Sequence, residues 1–200
     1  MPSTEFSPSI TTRPVYADLV SRGPAPAIML ADGVGAEALI DLATRDASVM
    51  EQAHVMFIPL GTDHGARLKA LGAASYHESP SFAACLERFQ KALADARMGT
   101  SLYLAGTEGL IGQAVALAAA AGLPSGAIQA EHRGSIARRM QCVHCKGITE
   151  NVTTDPFVCS HCGLTLFVRD HFSRRLGAFQ GVCVDAETPG VVPPTQEIQP

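Results

Sequence analysis

No apolar run in this chain approaches the roughly 20 residues of a membrane-crossing helix, which argues against an integral helical membrane protein. The first residues, Met1-Pro2-Ser3-Thr4-Glu5-Phe6-Ser7-Pro8, have neither a basic stretch nor an apolar core, so no secretory signal is expected and the cytoplasm is the expected compartment. No serine or cysteine sits in a nucleophile-elbow context, and there is no H-x-x-x-H or paired-carboxylate motif. Seven histidines (His54, His64, His77, His132, His144, His161 and His171) are scattered along the chain without a shared spacing. Asp170-His171 has the composition of a catalytic pair but reads as part of a polar surface cluster running to Arg175. No catalytic residue is assigned. The chain reads as a subunit rather than a free enzyme.

Two hundred residues, 46% hydrophobic and 17% charged, describe an ordinary globular chain of one or two domains. The net charge of −4 conceals an asymmetry. Between positions 133 and 175, seven basic residues (Arg133, Arg138, Arg139, Lys146, Arg169, Arg174, Arg175) face three acidic ones (Glu150, Asp155, Asp170), a local balance of +4 against −8 elsewhere. Such a segment suits an acidic protein partner or nucleic acid. The protein partner is preferred, because no recognition helix or aromatic-studded basic strand accompanies the charge.

Four cysteines fall in two matched pairs, Cys142-Val-His-Cys145 and Cys159-Ser-His-Cys162, with thirteen residues between them. Each C-x-x-C turn aims two sulfurs at one spot, and a hairpin between the turns would bring the pairs together. Four thiolates in tetrahedral array suit Zn²⁺ or a single iron of the rubredoxin kind. Gly163 and Gly147 are the residues expected to permit the tight backbone turns. His144 and His161 lie inside the knuckles as alternative ligands, although four cysteines already complete a set. A pair of disulfides is the competing assignment, disfavoured by the cytosolic character of the rest. Cys85, on the apolar face of a predicted helix, is expected to be a buried, inert thiol, and Cys183 has no partner at a recognisable spacing.

Upstream, short apolar runs alternate with helical periodicity. Strands are predicted at Ala27-Ile28-Met29-Leu30-Ala31, His54-Val55-Met56-Phe57-Ile58, 73–77, Ser101-Leu102-Tyr103-Leu104-Ala105 and Ala127-Ile128-Gln129-Ala130. The helix opened by Ser81 carries Phe82, Cys85, Leu86, Phe89 and Leu93 on one stripe. The predicted fold is α/β, a doubly wound parallel five-stranded sheet followed by a small four-cysteine zinc-ribbon or rubredoxin-like domain. Its divisions are an extended arm at 1–24, the α/β domain at 25–133, the metal ribbon at 134–180 and a tail at 181–200, a strap or a disordered segment.

Gly33-Val34-Gly35-Ala36-Glu37-Ala38 fits the dinucleotide fingerprint G-x-G-x-x-A, and it follows a strand and opens a helix. Asp32 and Glu37 flank the turn where a pyrophosphate would take backbone N–H groups, and two carboxylates there would repel it. No cofactor-binding residue is therefore assigned. Leu102-Tyr103-Leu104-Ala105-Gly106-Thr107, the following helix, then Ala121-Gly122-Leu123, Ile128 and Glu131 resemble the end of a ferredoxin-reductase-type nicotinamide domain. Ala105-Gly106-Thr107 replaces that family's Cys-Gly-Pro, which implies a fold kept without the hydride chemistry.

The segment Arg138-Arg139-Met140-Gln141-Cys142-Val143-His144-Cys145, through Cys159-Ser160-His161-Cys162-Gly163, to Val168-Arg169-Asp170-His171-Phe172-Ser173-Arg174-Arg175, resembles the small A-type subunit of haem-dependent dimethylamine monooxygenase. The resemblance implies a complex that oxidises dimethylamine with O₂ and NADPH to methylamine and formaldehyde. It also implies a partner reductase subunit carrying FMN and an iron–sulfur cluster, and a separate haem subunit. This chain would be their accessory member, holding zinc or iron on Cys142, Cys145, Cys159 and Cys162 and docking through Arg138, Arg139, Arg169, Arg174 and Arg175.

Overall fold

The structure, a computed structural model, describes residues 12–198. Five parallel strands, β1 (Ala27–Asp32), β2 (Ala53–Ile58), β3 (Ser75–Glu78), β4 (Ser101–Gly106) and β5 (Ile128–His132), stand in the order β3-β2-β1-β4-β5. Helices α1 (Ala36–Arg45), α2 (Gly65–Ala70), α3 (Phe82–Ala94) and α4 (Glu108–Ala120) connect them, giving the doubly wound sheet expected from the alternation. Period-two alternation within buried strands builds two cores. Met29, Ala31, Val55 and Phe57 pack with Leu39, Leu42 and Leu68 on one face. Ile28, Leu30, Met56 and Leu104 pack with Cys85, Phe89 and Ile111 on the other. Burial pushes the Cys85 thiol pKa up, as an inert core cysteine requires. Ser81 caps α3 by accepting the Ala84 N–H at 3.2 Å.

The second half is a β-structure of seven short strands: β6 (Arg138–Cys142), β7 (Ile148–Val152), β8 (Thr154–Asp155), β9 (Phe157–Val158), β10 (Thr165–Ser173), β11 (Ala178–Cys183) and β12 (Gln196–Glu197). Its main sheet has the order β7-β6-β11-β10-β9, and β12 pairs with β8. Met140, Val152, Phe157, Leu166 and Phe179 form its core, joined by Ile198 from the end of the chain. Residues 196–198 thus lie against the ribbon, and β11 continues to Cys183.

Residues 12–24 contain no helix or strand. They are held by side chains of β5: the Leu19 N–H donates to Glu131 at 2.8 Å and the Val20 N–H to Gln129 at 2.7 Å. Leu19 itself is buried in the first core. The expected arm over positions 1–11 lies outside the described residues. The two halves meet where α4 packs against β6 and β11, and there Gly112 faces Gly177 backbone to backbone.

Candidate metal centre

Each C-x-x-C turn sits at the tip of its own hairpin. Cys142 ends β6 and turns into the antiparallel β7, while Cys159 to Cys162 links β9 to the antiparallel β10. The intervening thirteen residues are therefore not one hairpin but β7, β8 and β9 in succession. The two knuckles repeat one hydrogen-bond pattern. Cys142 N–H donates to Gly147 O and Lys146 N–H to Cys142 O, both at 2.9 Å. Cys159 N–H donates to Leu164 O at 2.9 Å and Gly163 N–H to Cys159 O at 3.0 Å.

The residue after the second cysteine takes positive φ in both, 64° at Lys146 and 74° at Gly163. Gly163 does what the sequence assigned to it. In the first knuckle Lys146, not Gly147, makes the turn, with its Nζ donating to Val143 O at 2.6 Å. Gly147 is small for a different reason: a Cβ there would strike the imidazole of His161. That ring makes a 2.8 Å hydrogen-bond contact to Ile148 O through Nε2 and braces one knuckle against the other. His144 is exposed.

The four Sγ atoms of Cys142, Cys145, Cys159 and Cys162 lie within 4.8 Å of one another. Two cross-knuckle separations are 3.8 Å (Cys142 to Cys162) and 3.7 Å (Cys145 to Cys159). Sulfurs about 2.3 Å from a tetrahedral zinc lie about 3.8 Å apart, so the donor set has the right chemistry and size for a metal ion. All six cysteines are free thiols. Crowding divides the cluster electrostatically. At Cys159 burial opposes ionisation, but N–H groups of Cys162 and His161 outweigh it and lower the pKa to about 6. At Cys162 the Leu164 N–H favours the thiolate, yet burial and the neighbouring thiols push the pKa up to about 12. Four thiolates this close need a cation. Cys142 and Cys159 are buried, whereas Cys145 and Cys162 reach solvent.

The five arginines do not share one environment. Arg138 is 4% exposed, paired to Asp170 at 2.8 Å and stacked 4.8 Å over the Phe179 ring. Arg139 pairs with Glu150 at 2.8 Å and donates to Leu176 O at 2.6 Å. Arg169, Arg174 and Arg175 are exposed. Asp170 turns toward Arg138 and Arg13 (3.6 Å) while His171 is exposed, so the two do not act as a pair.

No local pattern marks the junction around Glu108. This carboxyl, 2% exposed at the first turn of α4, accepts from Tyr16 Oη at 3.2 Å. Burial raises its pKa, and the nearby Arg138 charge only partly offsets that. The contact joins residues 92 positions apart, beyond the reach of any local pattern.

At the sheet's switch point, between β1 and β4, Gly35 allows the chain to touch the Ala105 carbonyl, where a Cβ would collide. Asp32 fills the neighbouring space. Its carboxylate accepts the Thr107 N–H at 2.8 Å and hydroxyl at 2.6 Å, tying the end of β1 to the start of α4. The Asp32 carboxyl thus stands at the end of β1, with burial raising its pKa against the Thr107 hydrogen bonds. Glu37 lies 3.9 Å from His64.

A doubly wound α/β domain carrying a four-cysteine ribbon on its last helix defines the architectural class. The model of the family described as dimethylamine monooxygenase subunit DmmA-like, N-terminal domain, matches residues 8–128, and that of its C-terminal domain matches residues 139–182. The chain belongs to this DmmA-like family. It is 43% identical over 103 residues to the "Heme-dependent oxidative N-demethylase delta subunit" of Ectopseudomonas mendocina (strain ymp), a match spanning 50% of this chain and 59% of that relative. Among solved structures, a flavohemoglobin from Malassezia yamatoensis aligns at 14% identity over 57% of this chain and 33% of its own, with a TM-score of 0.41. Among the described residues, no helix is long and apolar enough to cross a membrane.

Proposed function

We propose that this chain is the non-catalytic assembly subunit of a cytoplasmic, NADPH- and O₂-dependent monooxygenase that demethylates dimethylamine to methylamine and formaldehyde. Cys142, Cys145, Cys159 and Cys162 hold a structural zinc, and the ribbon docks a reductase subunit, bearing FMN and an iron–sulfur cluster, and a haem subunit. The observation that carries this reading is the closed four-sulfur cluster in a member of the DmmA-like family. A tetrahedron completed by four cysteines leaves no position for substrate, the pattern of structural rather than catalytic zinc. Arg169, Arg174 and Arg175 supply the exposed positive charge, while Arg138 and Arg139 support that face through their internal ion pairs. The test is reconstitution: demethylation by purified reductase and haem subunits with and without this chain. Full activity without it, and no binding to either subunit, would sink the proposal.

One observation favours a second reading, a rubredoxin-like electron carrier with one iron in the same site. Cys145 and Cys162 reach the surface, where a redox partner can approach the centre. Four thiolates alone do not discriminate iron from zinc. Metal content and the visible spectrum decide: one zinc and no colour supports the structural role, one iron with a reducible thiolate charge-transfer band supports the carrier.

A further inference from the structure

Pro59-Leu60-Gly61-Thr62 closes β2 with a tight turn in which the Thr62 N–H donates to Pro59 O at 2.9 Å. Both central residues have positive φ, 47° at Leu60 and 81° at Gly61. This is the pattern of a type I′ turn, whose first central position favours Asn, Asp or Gly because a larger L side chain is crowded there. Leucine is a costly choice, and burial does not offset it, since Leu60 is 58% exposed. An exposed apolar side chain on a strained backbone is a feature to be explained by function rather than by stability.

Leu60 borders a groove of about 610 Å³ at the carboxyl ends of the strands, between the two halves of the chain. Phe82, Leu86 and Leu117 line its α/β side, and Arg139, Glu150 and Leu176 close it from the ribbon. Phe82 and Leu86 belong to the apolar stripe of α3 but are only part-buried, so the fold leaves that end of the stripe uncovered. The charged groups of the lining already have partners: Asp32 is engaged by Thr107, and Arg139 by Glu150 and Leu176 O. A small charged ligand finds no unpaired counter-charge in this lining, whereas an apolar side chain has a matching wall. Arg174 and Arg175, both exposed, immediately precede Leu176 on the rim.

We infer that this groove receives a segment of a partner subunit in which an apolar anchor residue is flanked by Asp or Glu. The anchor lies against Leu60, Phe82 and Leu86, and the flanking carboxylates meet Arg174 and Arg175. The inference rests on the assembly role proposed above and adds to it the place and chemistry of docking.

The experiment measures affinity between the full-length chain and each purified partner subunit, together with thermal melts of every variant. Leu60→Asn places a residue suited to the turn while removing the anchor, so it raises the melting temperature yet weakens association about ten-fold or more. The double variant Arg174→Glu/Arg175→Glu weakens association similarly, and more at low salt than at high. Met98→Asp, at the opposite end of the strands and fully exposed, leaves affinity unchanged. If the wild-type chain binds neither subunit, the assembly reading fails and the inference with it. Wild-type binding that Leu60→Asn leaves intact overturns the groove alone. Loss of Leu60 that lowers the melting temperature makes it a structural residue and overturns the anchor. Self-association of the chain that Leu60→Asn abolishes shows that the occupant is a second copy, which also overturns the inference.

Discussion

Gly112 in α4 and Gly177 in the β10–β11 turn touch backbone to backbone, and this contact fixes the ribbon against the α/β half. A Cβ on Gly112 would stand 2.7 Å from the Gly177 carbonyl oxygen, and one on Gly177 would run into the Gly112 carbonyl. Gly177 also has φ of 59°, so its conformation and its contact both require glycine. The groove between the two halves is therefore set by a direct packing contact rather than by a linker.

Replacing helical Gly112 by alanine should reverse the usual sign of that change. In an open helix it gains about 0.5–1 kcal/mol, but here backbone must move, at about 1–3 kcal/mol. Gly109, also in α4 with nothing within 4 Å of its Cβ position, is the internal control. Thermal melts should show Gly109→Ala stabilised and Gly112→Ala destabilised. Equal shifts of the same sign would show that the junction has slack.

Asp32→Ala should cost about 1–3 kcal/mol, because the Thr107 N–H loses its acceptor where water is scarce. Asp32→Asn keeps one carbonyl acceptor and should cost less. Denaturant midpoints compare the two, and an alanine variant as stable as the asparagine one would remove Asp32 from the structural account of the switch point.

How much of this was legible beforehand follows from the range of each interaction. The five strands, α3 with its Ser81 cap, and the spacing of Cys142 to Cys162 are local patterns, so they could be read directly. Gly147 departs from its expected part in the turn because its role depends on the His161 ring from the other knuckle, and Lys146 takes the positive φ instead. Arg138 counts as surface charge in sequence. Only the packing of β6 on β11 places it over Phe179 and beside Asp170. The strained turn at Leu60 was invisible, since Pro-Leu-Gly reads only as the end of a strand.

Glu108 gives the pH dependence its sign. Burial raises its folded-state pKa above the ordinary 4.5, so the folded state binds the proton more tightly than the unfolded chain. Its contribution to stability is fully present below 4.5 and is lost as pH rises through the raised value. Glu108→Gln keeps an acceptor for Tyr16 and mimics the neutral acid. The variant should be more stable than wild type at pH 7, and the difference should shrink on acidification. Melting temperatures from pH 4.5 to 8 test this, and a Glu108→Gln variant less stable at pH 7 would mean that the Arg138 charge outweighs desolvation.

Cys142→Ser and Cys159→Ser address the ribbon itself. Both sulfurs are buried within the core formed by Met140, Phe157, Leu166 and Phe179, so an ion held by the four cysteines would unite the two hairpin tips, and losing it would remove that support. Structural zinc contributes about 10–16 kcal/mol of apparent binding free energy in small units, more than the ribbon's few apolar residues supply. Each variant should lose stoichiometric metal, and limited proteolysis should cut between 138 and 183. The α/β half, with a separate core on each face of its sheet, should survive that digestion. Metal retained at one per chain would disprove the ligand assignment. Metal lost while the ribbon stays protease-resistant would show instead that the β-structure folds without its ion, which removes the architectural role.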